Sequence, residues 1–158
     1  MSTFDAAARE KVIAVIAELK DQAGPLIPVL HGVQNALGYV PSEAVSLIAE
    51  GLNISRADVH GVVTFYHYFR ETPPGRHTIH LCRAESCQAM NGGALESHAK
   101  SRLGVGFHQT TASGAFTLEP VYCLGNCACS PAVMIDGEVF GRVTPGRFDD
   151  LVSEWEGR

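Results

Sequence analysis

The sequence predicts an α+β chain, with a helical N-terminal half over residues 1–74 and a small α/β layer over residues 75–158. Three observations carry that reading. Apolar residues recur at helical spacing as far as Tyr66, then alternate as they do in strands. The change of period falls at Pro73-Pro74-Gly75, a run that extends neither kind of element. All five cysteines lie beyond that break.

In the first half, Phe4, Ala8, Val12, Val15, Ile16 and Leu19 share one face of a helix. Pro25 and Pro28 start a second segment carrying Leu30, Val33 and Leu37, which Gly38 closes. Pro41-Ser42-Glu43 opens a third, apolar at Val45, Leu47, Ile48 and Leu52. Ser55-Arg-Ala-Asp58 has the form of a capping box, with Asp in place of the usual Glu. The fourth helix it starts presents Val59, Val62, Val63 and Phe65–Tyr66, and extends to His67.

In the second half, His77–Cys82 alternates and reads as a strand, and Ala89–Leu103 reads as one helix. Gly114–Tyr122 is a second strand, reached through a Thr/Ser/Gly loop. Ala132–Ile135 and Val139–Gly141 flank Asp136-Gly137, a two-residue hairpin signal. Thr144 as N-cap and Pro145 at the first helical position start a last helix that runs to Trp155. No internal repeat or low-complexity tract interrupts the order.

Composition narrows the function. The 46% apolar and 18% charged content of these 158 residues is globular and argues against disorder. A formal charge of −5 without a Lys/Arg block argues against a nucleic-acid partner. No apolar run approaches the ~20 residues that membrane insertion requires, and the N-terminus lacks a signal-peptide layout. A cytoplasmic location is the expectation, and there five cysteines point to metal or redox chemistry rather than disulfides.

The cysteines form the pattern Cys82-x4-Cys87, then Cys123-x3-Cys127, with Cys129 following. Two close pairs of thiolates can hold one metal centre. A [2Fe–2S] cluster with four thiolates is an anion of charge minus two, minus three once reduced, so it needs donors and positive potential nearby. Cys87 lies where a helix begins, Gly125 lets backbone N–H groups turn inward, and Arg83 brings a positive charge. A structural zinc site tolerates the same spacings, although no Cys-x2-Cys ribbon is present. A thioredoxin-type dithiol lacks its Cys-x-x-Cys, and a Rieske centre lacks histidines in the right order. Spacing alone leaves iron–sulfur and zinc both open.

The same residues carry a resemblance. Cys-x4-Cys followed by Cys123-Leu-Gly-Asn-Cys127-Ala-Cys-Ser-Pro131 resembles the thioredoxin-like [2Fe–2S] subunit family, which includes the 24 kDa subunit of respiratory complex I. Leu37-Gly38-Tyr39-Val40-Pro41, Val59-His-Gly-Val-Val-Thr-Phe-Tyr66, Gly114-Ala-Phe-Thr-Leu118 and Gly141-Arg-Val-Thr-Pro145 extend it along nearly the whole chain. Within the family, Cys82-Arg-Ala-Glu-Ser-Cys87 and Cys123-Leu-Gly-Asn-Cys127-Ala-Cys-Ser-Pro131 are similar to the γ subunit of soluble, NAD-dependent, molybdenum-containing formate dehydrogenases. Related subunits serve NAD-reducing hydrogenases.

The resemblance implies a thioredoxin-like [2Fe–2S] ferredoxin domain over 75–158, with Cys82, Cys87, Cys123 and Cys127 holding one [2Fe–2S] cluster. It implies an electron-transfer subunit that exchanges single electrons with the FMN of a flavoprotein partner, which also binds NAD and a [4Fe–4S] cluster. The chain carries no Gly-x-Gly-x-x-Gly or P-loop, so FMN and NAD are expected on the partner and not here. A formate dehydrogenase is the host the motifs favour, with a hydrogenase or complex I as the alternative. A zinc adaptor and a thiol redox enzyme are the rivals from other classes. Cys129 departs from the complex I pattern; it is read as a buried thiol near the cluster, with a spare ligand as the alternative. No histidine has a partner at metal spacing, and no residue set suits bond-making catalysis.

Overall fold

The computed structural model describes residues 4–158. The chain divides into two compact units, Met1–Pro73 and Pro74–Arg158.

Four helices make the first unit: α1 (Ala6–Leu19), α2 (Leu26–Leu37), α3 (Ala44–Leu52) and α4 (Arg56–Phe65). Their ends follow the local chemistry. The Asp5 carboxylate accepts from the Ala8 N–H at 2.8 Å and starts α1. The capping box at α4 is complete, since the Ser55 hydroxyl accepts from the Asp58 N–H and the Asp58 carboxylate accepts from the Ser55 N–H. Gly38 closes α2 at φ 85°, and Asn53 closes α3 at φ 53°. Val12, Ile16, Val29, Leu30, Val33, Ile48, Val59 and Val63 form the buried core. Helix α4 stops sooner than the sequence implies. Phe65 and Tyr66 turn outward, 72% and 45% exposed, and His67 lies beyond the helix. The Gln34 side chain causes the turn back: its amide donates to the Tyr68 carbonyl and accepts from the Arg70 N–H.

The second unit is a five-stranded sheet in the order β2-β3-β1-β4-β5. Its strands are β1 (His77–Cys82), β2 (Gln109–Thr110), β3 (Phe116–Val121), β4 (Val133–Ile135) and β5 (Glu138–Phe140). Strands β1 and β3 run parallel, and the other pairs are antiparallel. The β1–β3 crossover contains α5 (Glu85–Ala89) and α6 (Gly92–Leu103), and α7 (Pro145–Glu156) packs on α6. Ile79, Leu81, Leu118, Val133 and Ile135 from the sheet meet Leu95, Phe148, Leu151, Val152 and Trp155 from the helices. The hairpin turn is built as expected, with Asp136 and Gly137 both at positive φ. The Asp136 carboxylate also grips His77 at 2.7 Å and accepts from the Thr78 N–H, tying the turn to the start of β1.

Two elements differ from the sequence reading. The helix expected over 89–103 starts only at Gly92, and a separate short helix ends at Ala89, the two parted at Asn91 in the left-handed region (φ 67°). Strand β2 lies inside the supposed Thr/Ser/Gly loop, held by Thr110 opposite Thr117 with their hydroxyls 2.8 Å apart. No described helix is long and apolar enough to cross a membrane.

Candidate metal centre

Parallel pairing brings the cysteines to one end of the sheet. Cys82, the last residue of β1, is in register with Val121, the last of β3, so both strands release their chains side by side. The Cys82 N–H donates to the Ala132 carbonyl, and the Arg83 N–H donates to the Val121 carbonyl at 2.7 Å. Beyond β1, the five-residue helix α5 supplies Cys87 from its first turn. Beyond β3, the loop from Tyr122 supplies Cys123, and the short 3-10 turn Cys127–Cys129 supplies Cys127.

The four thiols stand as two pairs. Cys82 and Cys87 are buried and interact through hydrogen bond and charge, with Ala132, Ala84, Val121 and Leu124 packed around them. Cys123 and Cys127 are exposed, their Sγ atoms 3.8 Å apart. Ser86, next to Cys87, lies 3.1 Å from the Cys127 carbonyl, and the Cys87 sulfur lies 3.6 Å from Ser130 just beyond the Cys127 turn, so the two pairs are neighbours. Among the described residues, no three His, Cys, Asp or Glu side chains gather closely enough for a single ion. Two neighbouring pairs are what a two-iron cluster requires, with one pair for each iron.

The electrostatics fit such a group. Burial pushes the Cys82 thiol up, the backbone N–H groups of Ala84 and Leu124 pull it down, and Cys87 pushes it up again. At Cys127 the hydrogen bond and charge of Cys123 push the thiol up. Four thiolates in this space would repel one another, and the iron of a cluster would supply the cationic core that offsets it. The Gly125 N–H reaches the Cys123 sulfur at 3.3 Å, so the glycine-containing loop does turn donors inward. Helix α5 contributes little field, because five residues carry only a short macrodipole.

Arg83 does not act alone. Its Nε lies 2.9 Å from Glu96, whose other oxygen meets Lys100 Nζ at 2.6 Å. Burial pushes the Glu96 carboxyl up, but Lys100 and Arg83 outweigh that and hold it below its usual range. The group as a whole still carries one net positive charge. It borders a cleft of about 220 Å³ lined by Cys82, Arg83, Gln88, Gly92, Gly93 and Glu96.

Sequence reasoning missed Glu96, Ser86 and Ser130. Ser130 is buried, precedes the cis-bonded Pro131, and links to Ser86 through hydroxyls 2.8 Å apart. Their only signal was position, each being a hydroxyl residue within three residues of a cysteine in the pattern. Cys129 is half-buried, and its carbonyl accepts from the Arg142 N–H. His77, His98 and His108 each face a carboxylate, of Asp136, Asp149 and Glu119 respectively.

A family profile described as thioredoxin-like [2Fe–2S] ferredoxin matches residues 12–156. The chain belongs to that family. A [2Fe–2S] cluster is the cofactor the family carries, and the cysteine pairs suit it. Among curated relatives, a subunit of the NADH-quinone oxidoreductase of Pseudomonas aeruginosa is 42% identical over 80% of this chain and 76% of its own. Its namesake from Escherichia coli K12 is 34% identical over 97% and 92%. The HndA subunit of the NADP-reducing hydrogenase of Solidesulfovibrio fructosivorans is 32% identical over 92% and 85%. Among solved structures, an NAD+-reducing [NiFe]-hydrogenase in the H2-reduced state aligns with TM-score 0.69 at 23% identity. That match covers 84% of this chain and only 22% of the other, and it shows the fold.

Proposed function

We propose that the chain is the [2Fe–2S] electron-transfer subunit of a multisubunit NAD-dependent oxidoreductase, with Cys82, Cys87, Cys123 and Cys127 as the cluster ligands. It takes and gives single electrons in exchange with the FMN of a flavoprotein partner that also carries NAD and a [4Fe–4S] cluster. The observation that carries this is the convergence of the two cysteine pairs at the ends of β1 and β3. One pair is buried and the other reaches the surface, so a cluster there is held by the core and open to a partner.

The host we propose is a cytoplasmic, molybdenum-containing formate dehydrogenase. The motifs Cys82-Arg-Ala-Glu-Ser-Cys87 and Cys123-Leu-Gly-Asn-Cys127-Ala-Cys-Ser-Pro131 support it. The relatives' names favour a second reading, a hydrogenase or NADH-quinone oxidoreductase host. In either host, residues 1–74 form a separate domain that grips the partner, and residues 75–158 hold the cluster.

Isolation of the tagged chain with its native partners tests the assignment. The expected complex contains a flavoprotein and a molybdenum subunit, and NADH reduces the [2Fe–2S] cluster in it, so that its EPR signal appears. A nickel–iron subunit or membrane subunits would transfer the chain to the second reading. A chain that never copurifies with a flavoprotein would overturn the subunit assignment.

A further inference from the structure

The hydroxyls of Ser86 and Ser130 lie between the two halves of the centre. Ser86 belongs to the segment linking Cys82 to Cys87, and Ser130 follows the turn that holds Cys127. The Ser130 Oγ lies 2.8 Å from the Ser86 Oγ, 2.8 Å from the Cys127 carbonyl and 3.6 Å from the Cys87 sulfur. Ser86 Oγ is also 3.1 Å from the Cys127 carbonyl. Ser130 and Cys87 are both buried, at 7% and 2% exposure, so water does not compete for either group.

The protons can be counted. While Cys87 is a thiol, its S–H can donate to Ser130, and Ser130 can donate to the Cys127 carbonyl. A sulfur bound to iron carries no proton, so the Cys87–Ser130 contact then has one possible donor, the Ser130 hydroxyl. Turning it toward sulfur leaves the Cys127 carbonyl open, and Ser86 is within reach to take that place.

We propose that Ser130, with Ser86 behind it, is a positioning residue that sets the cluster's potential. On cluster binding the Ser130 hydroxyl rotates from the Cys127 carbonyl to the Cys87 sulfur, and the Ser86 hydroxyl donates in a bifurcated bond to the Cys127 carbonyl and the Ser130 Oγ, both within its reach. Reduction adds negative charge to the cluster and its sulfurs, so a donor on sulfur stabilises the reduced state more than the oxidised one. The pair therefore raises the potential. The inference rests on the cluster ligation proposed above.

The test is an EPR-monitored redox titration of the full chain with its cluster assembled, for the wild type, Ser130→Ala and Ser86→Ala. In Ser130→Ala the ratio of reduced to oxidised cluster at a fixed potential is expected to fall roughly threefold to tenfold, the upper end being ~59 mV for one electron. Ser86→Ala is expected to fall in the same direction by less, because the Cys127 carbonyl then recaptures the Ser130 proton part of the time. A fully loaded Ser130→Ala with the wild-type potential would overturn the proposal, since a purely structural serine changes melting temperature or cluster content only. Should Ser130→Ala assemble no cluster, Ser86→Ala decides: a lowered potential supports the role and an unchanged one overturns it. A wild-type chain with no iron–sulfur signal would overturn the ligation itself, an outcome distinct from a loaded cluster indifferent to its serines.

Discussion

Cys82 and Cys87 sit in the protein interior, while Cys123 and Cys127 sit at its surface. The first pair is placed by a strand end and a helix turn walled by Ala132, Val121 and Leu124. The second is placed by loop backbone, with Cys123 at φ 149° and Gly125 at φ 75°. A centre built this way has a rigid half and an adaptable half. A cluster on these four residues, as proposed, would be fixed in place by the buried half and approached by a redox partner at the exposed half.

The largest effect expected from this asymmetry is on cluster content. Cys82→Ser or Cys87→Ser should abolish the cluster, because a buried serine hydroxyl resists ionisation far more than a thiol and gives iron no anionic ligand. Cys123→Ser or Cys127→Ser should lower content without abolishing it, since the loop can shift and water can reach the iron. Iron and sulfide per chain measure both, and equal losses at the two pairs would erase the distinction between the halves.

Glycine substitutions probe the same contrast. A Cβ on Gly92 would stand 2.5 Å from the Cys87 carbonyl oxygen and 2.9 Å from its carbon. Gly92→Ala is therefore expected to cost about 3 kcal/mol and to displace Cys87. Gly125 has open space around it and only its positive φ to preserve, so Gly125→Ala should cost about 1 kcal/mol. Chemical denaturation of the two variants gives the ordering.

The two halves were unequally legible in the sequence. Cys82 closes an alternating strand, and strand periodicity is a strong local signal, so its position was readable. The break at Asn91 was not, because a left-handed residue followed by Gly92 against the Cys87 carbonyl, five residues back, is a local backbone arrangement that apolar periodicity does not report. Strand β2 was hidden for a similar reason. Gln109 and Thr110 are ordinary loop residues until β3 pairs with them. Arg83 was seen as a charge, but Glu96 lies thirteen residues away in sequence and only the fold brings it into contact. The helical unit read more easily, as its capping box and left-handed caps are local chemistry.

A pH effect should separate the loaded and cluster-free chains. The Cys82 thiol is pushed up in the folded protein, mainly by burial, so the folded state holds its proton at pH values where the unfolded chain has released it. Its contribution to stability is full below the ordinary thiol value of about 8.5 and is lost as pH rises through the raised folded value. The cluster-free chain should thus melt lower with increasing alkalinity. Once Cys82 is bound to iron it has no proton to lose, and the loaded chain should lack this trend. A parallel decline in both forms would contradict a buried ligand at Cys82.

Cys129 should give the smallest effect. It is half-buried and outside both pairs, so Cys129→Ala should leave cluster content unchanged and stability within about 0.5 kcal/mol. Its use as a spare ligand would show only in the double variant. If Cys127→Ser retains a cluster that Cys127→Ser/Cys129→Ala loses, Cys129 has taken over at the exposed half.

Whether the four cysteines hold one [2Fe–2S] cluster is decided by EPR of the anaerobically purified chain, before and after dithionite. The expected result is silence in the oxidised state and a single spin-half signal on reduction, near one spin per chain. Silence in both states, with zinc bound in place of iron and sulfide, would contradict the cluster and leave a structural adaptor.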